Sequence, residues 1–274
     1  MATHTLSSVW RRFAALMLVV VSLVSISCKD DEDSDGRFTA TGSFAFREVR
    51  HSIVVFELDA ANGTIEITGT AEQDSVIILA ERIVRANNQH NADVALEDLN
   101  VEVGGTSGFY FVRTVQPSLS DGNEYEIHYH ITLPAGARVE VQQDNGNVSI
   151  SSINHEDTSA PAVIVAATNG NIELTDIRGS VLAQLVNGTI TCTTQFTDPD
   201  RCTLTVVNGT INLSIPDDIS ATFSAQVDVG TVSVNGLDLR NPVITPTSVT
   251  GTLGSGDGAI ALRGTTGTIT ATGN

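Results

Sequence analysis

Three residues that could hold a metal ion alternate along one short segment of this sequence. Glu126, His128 and His130 are each separated by one residue, so in a β-strand their side chains project from the same face. Imidazole and carboxylate groups bind transition metals, but a closed site takes about four ligands and no fourth is evident here. The positions that alternate with them are apolar or aromatic: Tyr125, Ile127, Tyr129 and Ile131. These residues would form the buried face, which favours solvent-facing histidines over a metal site, and no cofactor is predicted.

Two cysteines stand at the ends of a short loop. Cys192 and Cys202 both fall on positions predicted to face the interior, and residues 193–201 connect them. In an exported protein, an even pair of cysteines favours a disulfide. Two buried thiols that pack as small apolar groups are the alternative, because spacing alone does not give the Cα separation that a bridge requires.

The remaining cysteine, Cys28, follows a segment typical of bacterial export signals. Arg11 and Arg12 precede an apolar run at 13–24, which is shorter than the roughly 20 residues of a membrane-spanning helix. The small residues before Cys28 resemble the lipobox of bacterial lipoproteins, in which the cysteine is acylated and becomes the mature N-terminus. Residues 1–27 are therefore predicted to be a lipoprotein signal peptide and Cys28 a lipidation site. An unmodified cysteine after a conventional cleavage site is the alternative.

An acidic stretch at 29–35 follows Cys28. It is too charged and too small to pack, so residues 28–42 are predicted to be a solvated tether. The Cys-Lys-Asp-Asp start resembles the signal that sends some Gram-negative lipoproteins to the outer face of the outer membrane. This start predicts an outer membrane lipoprotein at the cell surface. In the alternative, the stretch is only a spacer and the protein lies on the periplasmic face.

The charge balance excludes one class of partner. The chain has 14 basic and 32 acidic residues and a net charge of −18, which becomes −20 when Arg11 and Arg12 leave with the signal peptide. Such a surface repels phosphate backbones and anionic headgroups. Nucleic acid is therefore excluded as a partner, and attachment to the membrane must come from the N-terminal lipid.

The chain lacks the common catalytic motifs. It contains no Gly-x-Ser-x-Gly elbow, no phosphate-binding loop and no His-Glu-x-x-His pair. Acidic loops at 121–124, 198–200 and 217–218 fit neither an EF-hand nor the calcium-binding nonapeptide, which favours solvated turns. We therefore predict that the protein is not an enzyme. A carbohydrate-active β-helix enzyme is kept as an alternative.

A recurring phrase defines the elements that position all these residues. It reads Asn-Gly, any residue, then alternating apolar positions, at 62–67, 145–150, 169–174, 187–192 and 208–213, with weaker copies from 229, 257 and 266. Its predicted turn glycines are Gly63, Gly146, Gly170, Gly188, Gly209, Gly230, Gly258 and Gly267. From Gly146 onward they are separated by 24, 18, 21, 21, 28 and 9 residues. A period near 20 with strand-like alternation is typical of a β-solenoid, and glycine permits the positive φ of a tight corner.

This pattern predicts an all-β, single-domain parallel β-helix over residues 43–274, with coils of about 20 residues. Residues two and four places after each glycine should line the interior, while the intervening polar residues face solvent. One helical stretch, at 91–99, interrupts the strands. The small, Thr-rich segment 264–274 is expected at an edge or cap of the stack.

The order of these motifs resembles a known bacterial family. A Tyr-x-Ile-x-Tyr-x-Ile-x-Leu-Pro strand at 125–134 precedes the regular coils, Leu-Ser-Ile-Pro ends one coil at 213–216, and Gly-Ser-Gly-Asp-Gly-Ala-Ile-Ala-Leu follows at 254–262. Most of residues 50–274 is similar to DUF4097, a family of adhesin-like β-strand-repeat domains. The resemblance implies a β-helix-like domain of envelope or surface proteins.

We therefore expect a lipid-anchored, adhesin-like or scaffold module that presents a rigid surface to a glycan or to an envelope or surface protein. A periplasm-facing lipoprotein that senses envelope stress or binds a partner is the alternative.

Overall fold

Sixteen strands and one helix make up the described part of the chain. The computed structural model describes residues 36–49, 54–71, 74–106, 108–118, 120–157, 159–197 and 199–274. The strands are β1 (Phe38–Val49), β2 (Val55–Asn62), β3 (Ile65–Thr70), β4 (Ser75–Ala86), β5 (Asn100–Thr106), β6 (Phe109–Val115), β7 (Glu124–Pro134), β8 (Arg138–Asn145), β9 (Val148–Asn154), β10 (Val163–Arg178), β11 (Val181–Thr194), β12 (Arg201–Ile215), β13 (Ala221–Asn235), β14 (Arg240–Thr245), β15 (Ser248–Leu253) and β16 (Gly258–Gly273). The helix α1 (Gln89–Asp98) lies between β4 and β5. All sixteen strands belong to one hydrogen-bonded sheet, so the predicted all-β class is confirmed.

Each regular coil consists of two strand halves that meet at a glycine. The first half of β10 pairs with β8 and its second half with β9, and β11 repeats this arrangement with Gly188 beside Gly170. Buried positions in β10 are odd-numbered before the corner, as at Val163, and even-numbered directly after it, as at Ile172 and Leu174. The chain therefore bends at the glycine so that both halves face one interior. Wall one denotes the halves before the corner (β2, β8 and the starts of β10–β13 and β16), and wall two the halves after it (β3, β9 and the ends of the same strands).

The spatial order of the coils departs from the chain order at the C-terminus. The coils β2/β3, β8/β9, β10, β11 and β12 follow one another in parallel. β16 then lies between β12 and β13 and is parallel to both, because the β14–β15 hairpin turns the chain back along the edge of β13. The expectation that residues 264–274 form an edge or cap was therefore wrong.

The first third of the fold departs from the coil pattern. β6 and β5 extend wall one beyond β2, while β7, β4 and β1 extend wall two beyond β3. The predicted helical excursion is confirmed: α1 packs against β1 and β4 and buries Ala92, Ala95 and Leu96. The side chain of Asn88 caps this helix by accepting a hydrogen bond from the Asn91 N–H.

Rows of aliphatic side chains fill the interior between the two walls. Register places buried residues from successive coils at the same level of wall two, as in the row of Val148, Ile172, Ile190, Ile211 and Ile269. Burial of each such side chain contributes about 1.5–3 kcal/mol. On the side opposite the corners, Phe196 and Ile219 in the segments that return from wall two to wall one are also buried.

The side chain of Ser220 stabilises the turn that precedes β16 through hydrogen bonds. The Oγ atom of Ser220 accepts hydrogen bonds from the backbone N–H groups of Ser255, Gly256 and Asp257 at 3.0, 2.8 and 3.2 Å. The same hydroxyl donates to Oδ2 of Asp257 at 2.8 Å, and the Ser255 hydroxyl bonds to the same oxygen. Hydrogen bonds from Ser255 and Ser220 lower the pKa of Asp257. These contacts join the segment before β13 to the turn before β16.

Two predictions about boundaries and turns are corrected by the structure. β1 begins at Phe38, so the folded domain includes residues 38–42, which we assigned to the tether. Gly258 is not a turn glycine with positive φ but the first residue of β16, in wall one. The corner of that coil is Gly267, in register with Gly209 and Gly230. The other seven predicted turn glycines are confirmed, with φ between 124° and 149°.

Candidate functional site

The corners of the coils stack in two rows along the axis of the solenoid. In the glycine row the backbones touch: a Cβ atom on Gly188 would lie 1.7 Å from the carbonyl oxygen of Gly170. Beside it, asparagine side chains form a ladder in which each Nδ2 donates to the Oδ1 of the asparagine at the preceding corner at 2.7–3.0 Å. The ladder consists of Asn62, Asn145, Asn169, Asn187 and Asn208. Each hydrogen bond joins the side-chain amides of two neighbouring corners, so the ladder holds the corners in register.

The outer face of wall two carries a regular set of uncharged polar side chains. At six neighbouring corners, the residues one, three and five places after the glycine are at least partly exposed, and all except Glu173 are Thr, Ser or Asn. This polar array consists of Asn147, Ser149, Ser151, Asn171, Glu173, Thr175, Thr189, Thr191, Thr193, Thr210, Asn212, Ser214, Thr231, Ser233, Asn235, Thr268, Thr270 and Thr272. Neighbouring side chains are about 4.8 Å apart along the axis and about 6.7 Å apart along a strand.

A groove opens where β7 departs from the coil pattern. The chain turns from wall one into wall two at Gly63, but β7 continues past this corner: its residues 129–134 pair with β3, and residues 124–128 extend beyond that pairing. The groove has a volume of about 660 Å³, within the range of roughly 300–1,000 Å³ usual for ligand sites. Its lining consists of residues 62–64 and 145–147 at two corners, Glu124, Tyr125, Glu126 and His128 of β7, and Gln116, Pro117, Ser118, Ser120 and Asn123 of the preceding loop.

His128 is held in one tautomer inside the groove. Its Nδ1 atom accepts a hydrogen bond from the backbone N–H of Thr64 at 3.1 Å and lies 2.8 Å from the Thr64 hydroxyl. A backbone N–H can only donate, so Nδ1 carries no hydrogen and the hydrogen is on Nε2. Nε2 lies 3.7 Å from Oε2 of Glu126, which is too far for a hydrogen bond. The groove therefore presents a donor and an acceptor side by side.

Both carboxylates in the groove are balanced by arginine residues. Oε1 of Glu126 lies 3.0 Å from Nη1 of Arg85, and Oε1 of Glu124 lies 2.6 Å from Nη1 of Arg37. The other polar groups of the lining are neutral amides and hydroxyls, apart from the imidazole of His128. The groove is thus locally balanced in charge although the whole chain carries −18.

The three predicted metal candidates share the outer face of β7 but have separate partners. Glu126 and His128 line the groove, whereas Nδ1 of His130 pairs with Oε2 of Glu66 at 2.8 Å, away from the groove lining. Within the described ranges, no group of three His, Cys, Asp or Glu side chains could hold a metal ion. The predicted buried face is confirmed for Tyr125, Ile127, Tyr129 and Ile131. Burial raises the pKa of Tyr129 to about 12, even though its hydroxyl group bonds to that of Thr114.

The two core cysteines come together in the interior. Cys192 lies in wall two and Cys202 in wall one, and both are free, buried thiols, so their predicted inward orientation is confirmed. A hydrogen bond with Cys192, together with burial, raises the pKa of Cys202 well above its ordinary value. The contact is compatible with a bridge, and the disulfide itself stays a prediction.

The predicted signal peptide at 1–27, the lipidation site Cys28 and tether residues 28–35 lie outside the described residues. None of the helices in the described ranges is long and apolar enough to cross a membrane. Lipid anchoring therefore stays a prediction from the sequence.

Sequence reasoning missed both the ladder and the groove. The recurrence of asparagine before five corner glycines was a usable signal for the ladder, because parallel stacking in register brings identical residues together. The groove had no comparable signal. It depends on β7 continuing where the neighbouring chain bends at Gly63, and no local motif specifies that difference.

Two walls of stacked coils, joined at glycine corners and flanked by a flat polar face, define a β-solenoid-like repeat domain. The chain belongs to the Toastrack DUF4097 family, whose family model matches residues 39–272. The resemblance drawn from the motifs is therefore confirmed.

Two solved structures align with most of the chain at low identity. A candidate cell adhesion protein from Clostridium sporogenes is 11% identical, with 85% of this chain and 100% of that chain covered and a TM-score of 0.44. A candidate adhesin from Bacteroides fragilis is 10% identical, with 84% and 96% covered and a TM-score of 0.25. No relative was found among curated proteins.

Proposed function

We propose that this protein is a non-enzymatic, lipid-anchored component of the cell envelope that presents the polar array as an adhesin-like or scaffold surface. The observation that carries the proposal is the composition of the array. Although the chain has a net charge of −18, seventeen of the eighteen array positions carry an uncharged side chain, and Glu173 is the exception. Solubility alone would favour placing carboxylates there, as on the rest of the surface.

Rigidity makes this face suitable for recognition. Threonine side chains are restricted at χ1, and the asparagine ladder and glycine row hold the coils at a fixed spacing. Binding to such a surface therefore loses little side-chain entropy. Hydroxyl and amide groups both donate and accept hydrogen bonds, which matches the hydroxyl-rich surface of a glycan or the polar surface of another envelope protein.

In this proposal, the N-terminal segment supplies the attachment. Acylated Cys28 inserts in the outer membrane, and the acidic residues at 29–35 space the domain from it. The negative charge of the chain keeps the domain away from anionic headgroups. The polar array would then face the exterior of the cell.

Two pairs of threonines offer a matched test of the array. Thr210→Lys with Thr270→Lys places two charges in the polar array, whereas Thr203→Lys with Thr205→Lys places the same two charges on the outer face of wall one. Cells that carry each variant are compared with wild-type and deletion strains for adhesion to printed oligosaccharides, mucin and envelope extracts. We expect the array variant to match the deletion strain and the wall-one variant to match wild type. Equal adhesion of the deletion and wild-type strains would refute the adhesive role.

Exposure on the cell surface is tested separately. Proteinase K added to intact cells should remove the protein while a periplasmic marker survives. Protection of the protein would place it on the periplasmic face and favour the alternative role as an envelope sensor or partner-binding lipoprotein.

A further inference from the structure

We infer that the groove beside β7 is a binding site for a neutral saccharide. This inference rests on the proposed binding role of the surface, and it assigns a defined ligand class to a defined place. The groove adjoins the polar array, because Asn147 belongs to both. It is also the place where the asparagine ladder ends, since Nδ2 of Asn62 donates to the Tyr125 carbonyl at 3.1 Å instead of to another asparagine.

The hydrogen-bonding pattern of Glu126 and His128 selects the ligand. Thr64 fixes the hydrogen of His128 on Nε2, and this atom lies 3.7 Å from Oε2 of Glu126 without bonding to it. A single ligand group placed between the two atoms must accept from Nε2–H and donate to the carboxylate. A hydroxyl group does both, whereas a carboxylate or a phosphodiester cannot donate and an ammonium group cannot accept.

The charges around the groove lead to the same class of ligand. Arg85 and Arg37 already balance Glu126 and Glu124, so the groove offers no unpaired carboxylate to attract a cation. The overall charge of −18 disfavours an anionic sugar. A neutral ligand with several hydroxyl groups is therefore the best match.

Further contacts for such a ligand lie along the corners. Oδ1 of Asn147 accepts from the backbone N–H and the side-chain amide of Asn171, both at 3.1 Å, so the Nδ2 group of Asn147 is left to donate to a ligand. Pro117 and Tyr125 add carbon surface to the lining. The volume of about 660 Å³ gives room for an oligosaccharide end.

The test uses the full-length protein, extracted in a detergent without a sugar headgroup. Binding is first measured on a glass slide printed with neutral and sialylated oligosaccharides. Saturation-transfer NMR is then recorded with N-acetyllactosamine, with its sialylated form and with the neutral oligosaccharide that binds most strongly to the slide. The groove variant combines Glu126→Gln with His128→Phe. The chain provides a matched control on β7 and its neighbour β3, because Glu66→Gln with His130→Phe removes the same chemistry from a pair outside the groove.

We expect a neutral oligosaccharide to bind, the groove variant to weaken it by about tenfold or more, and the control to stay within about twofold of wild type. The sialylated form should bind less well than its neutral counterpart. Circular dichroism establishes that both variants are folded. The inference is overturned if the wild-type protein binds no neutral glycan at millimolar concentration, or if the groove variant binds as well as the control.

These outcomes can be distinguished from those of the adhesion experiment with the lysine variants of the polar array. If the lysine variants of the array abolish adhesion but the groove variant does not change glycan binding, the proposed function stands and the groove site is refuted. If the groove binds a glycan but deletion of the protein leaves adhesion unchanged, the site stands and the adhesive role is refuted.

Discussion

Replacement of Gly188 by alanine would test the stacking of the corners directly. Gly188 has a φ of 137°, and an added Cβ would lie 1.7 Å from the carbonyl oxygen of Gly170 and 3.3 Å from Cδ2 of Leu185. The oxygen belongs to the backbone of the adjacent coil, so no side-chain rotation relieves the contact. Alanine therefore has to separate two coils or change the backbone conformation.

The expected cost follows from these distances. A Cβ atom essentially never lies closer than 3.0 Å to a heavy atom of a residue that is not its chain neighbour, so the coils at Gly188 would have to move apart by more than about 1 Å. Strands are about 4.8 Å apart, and such a movement breaks about two hydrogen bonds, each worth about 1 kcal/mol. A non-glycine residue in this region of φ costs a further 1–3 kcal/mol or so. The sum is roughly 3–5 kcal/mol, a large part of the 5–15 kcal/mol or so that stabilises a typical domain.

The assay is thermal and urea unfolding of the purified protein, followed by circular dichroism. Gly136→Ala is the matched control, because Gly136 lacks a positive φ and its added Cβ would meet no atom closer than 3.9 Å. We expect Gly188→Ala to lower the Tm by roughly 10 °C and the control to change it by less than about 2 °C. Equal melting temperatures for the two variants would refute the direct stacking of the corner backbones.

Three other predictions concern the anchor, the turn before β16 and the core thiols. Cys28→Ala should release the protein from membranes, and continued sedimentation of the variant with membranes would contradict lipid anchoring. Because the pKa of Asp257 is lowered from 3.8, its stabilising effect is complete above that pH and is lost as the pH falls through the lower folded value. Asp257→Asn should therefore lower the urea midpoint at pH 7 by more than at pH 3, and an equal difference at both pH values would argue against this role. Iodoacetamide should modify neither Cys192 nor Cys202 in the native protein, because both are buried and the pKa of Cys202 is raised. Peptide mapping of exported protein, denatured without reductant, then tests the predicted bridge, and two alkylated cysteines would contradict it.

The repeat phrase carried most of the information about the fold. Apolar residues two and four places after the corner glycines are buried, as Ile190 and Cys192 illustrate, or partly buried after Gly230, because strand geometry alone dictates which side chains share a face. The positive φ at seven glycines was predictable for a similar reason. A Cβ atom is excluded both by the local backbone and by the neighbouring coil, so only glycine persists there.

The pairing of strands that are distant in the sequence was harder to predict from local motifs. Asp257-Gly258 resembles the corner phrase, but Gly258 begins β16 and the corner falls at Gly267, in register with Gly209. Nothing near residue 258 specifies this difference. It results from the β14–β15 hairpin, which brings the last strand between two coils that are already adjacent in the sequence.

In the candidate site, too, some features follow from local sequence and others from long-range contacts. Alternation along β7 correctly placed Glu126 and His128 opposite the buried tyrosines and isoleucines, because that depends only on the two-residue period of a strand. Whether those side chains face open solvent or line a groove depends on where β7 runs relative to the corner at Gly63. The tautomer of His128 depends further on the backbone N–H of Thr64, which is 64 residues away in the chain.

Local periodicity thus determined the coils, the corners and the orientation of each side chain. Only the tertiary structure decided which corners meet, where the stack opens and which polar groups remain available to a ligand, since these depend on contacts between distant segments.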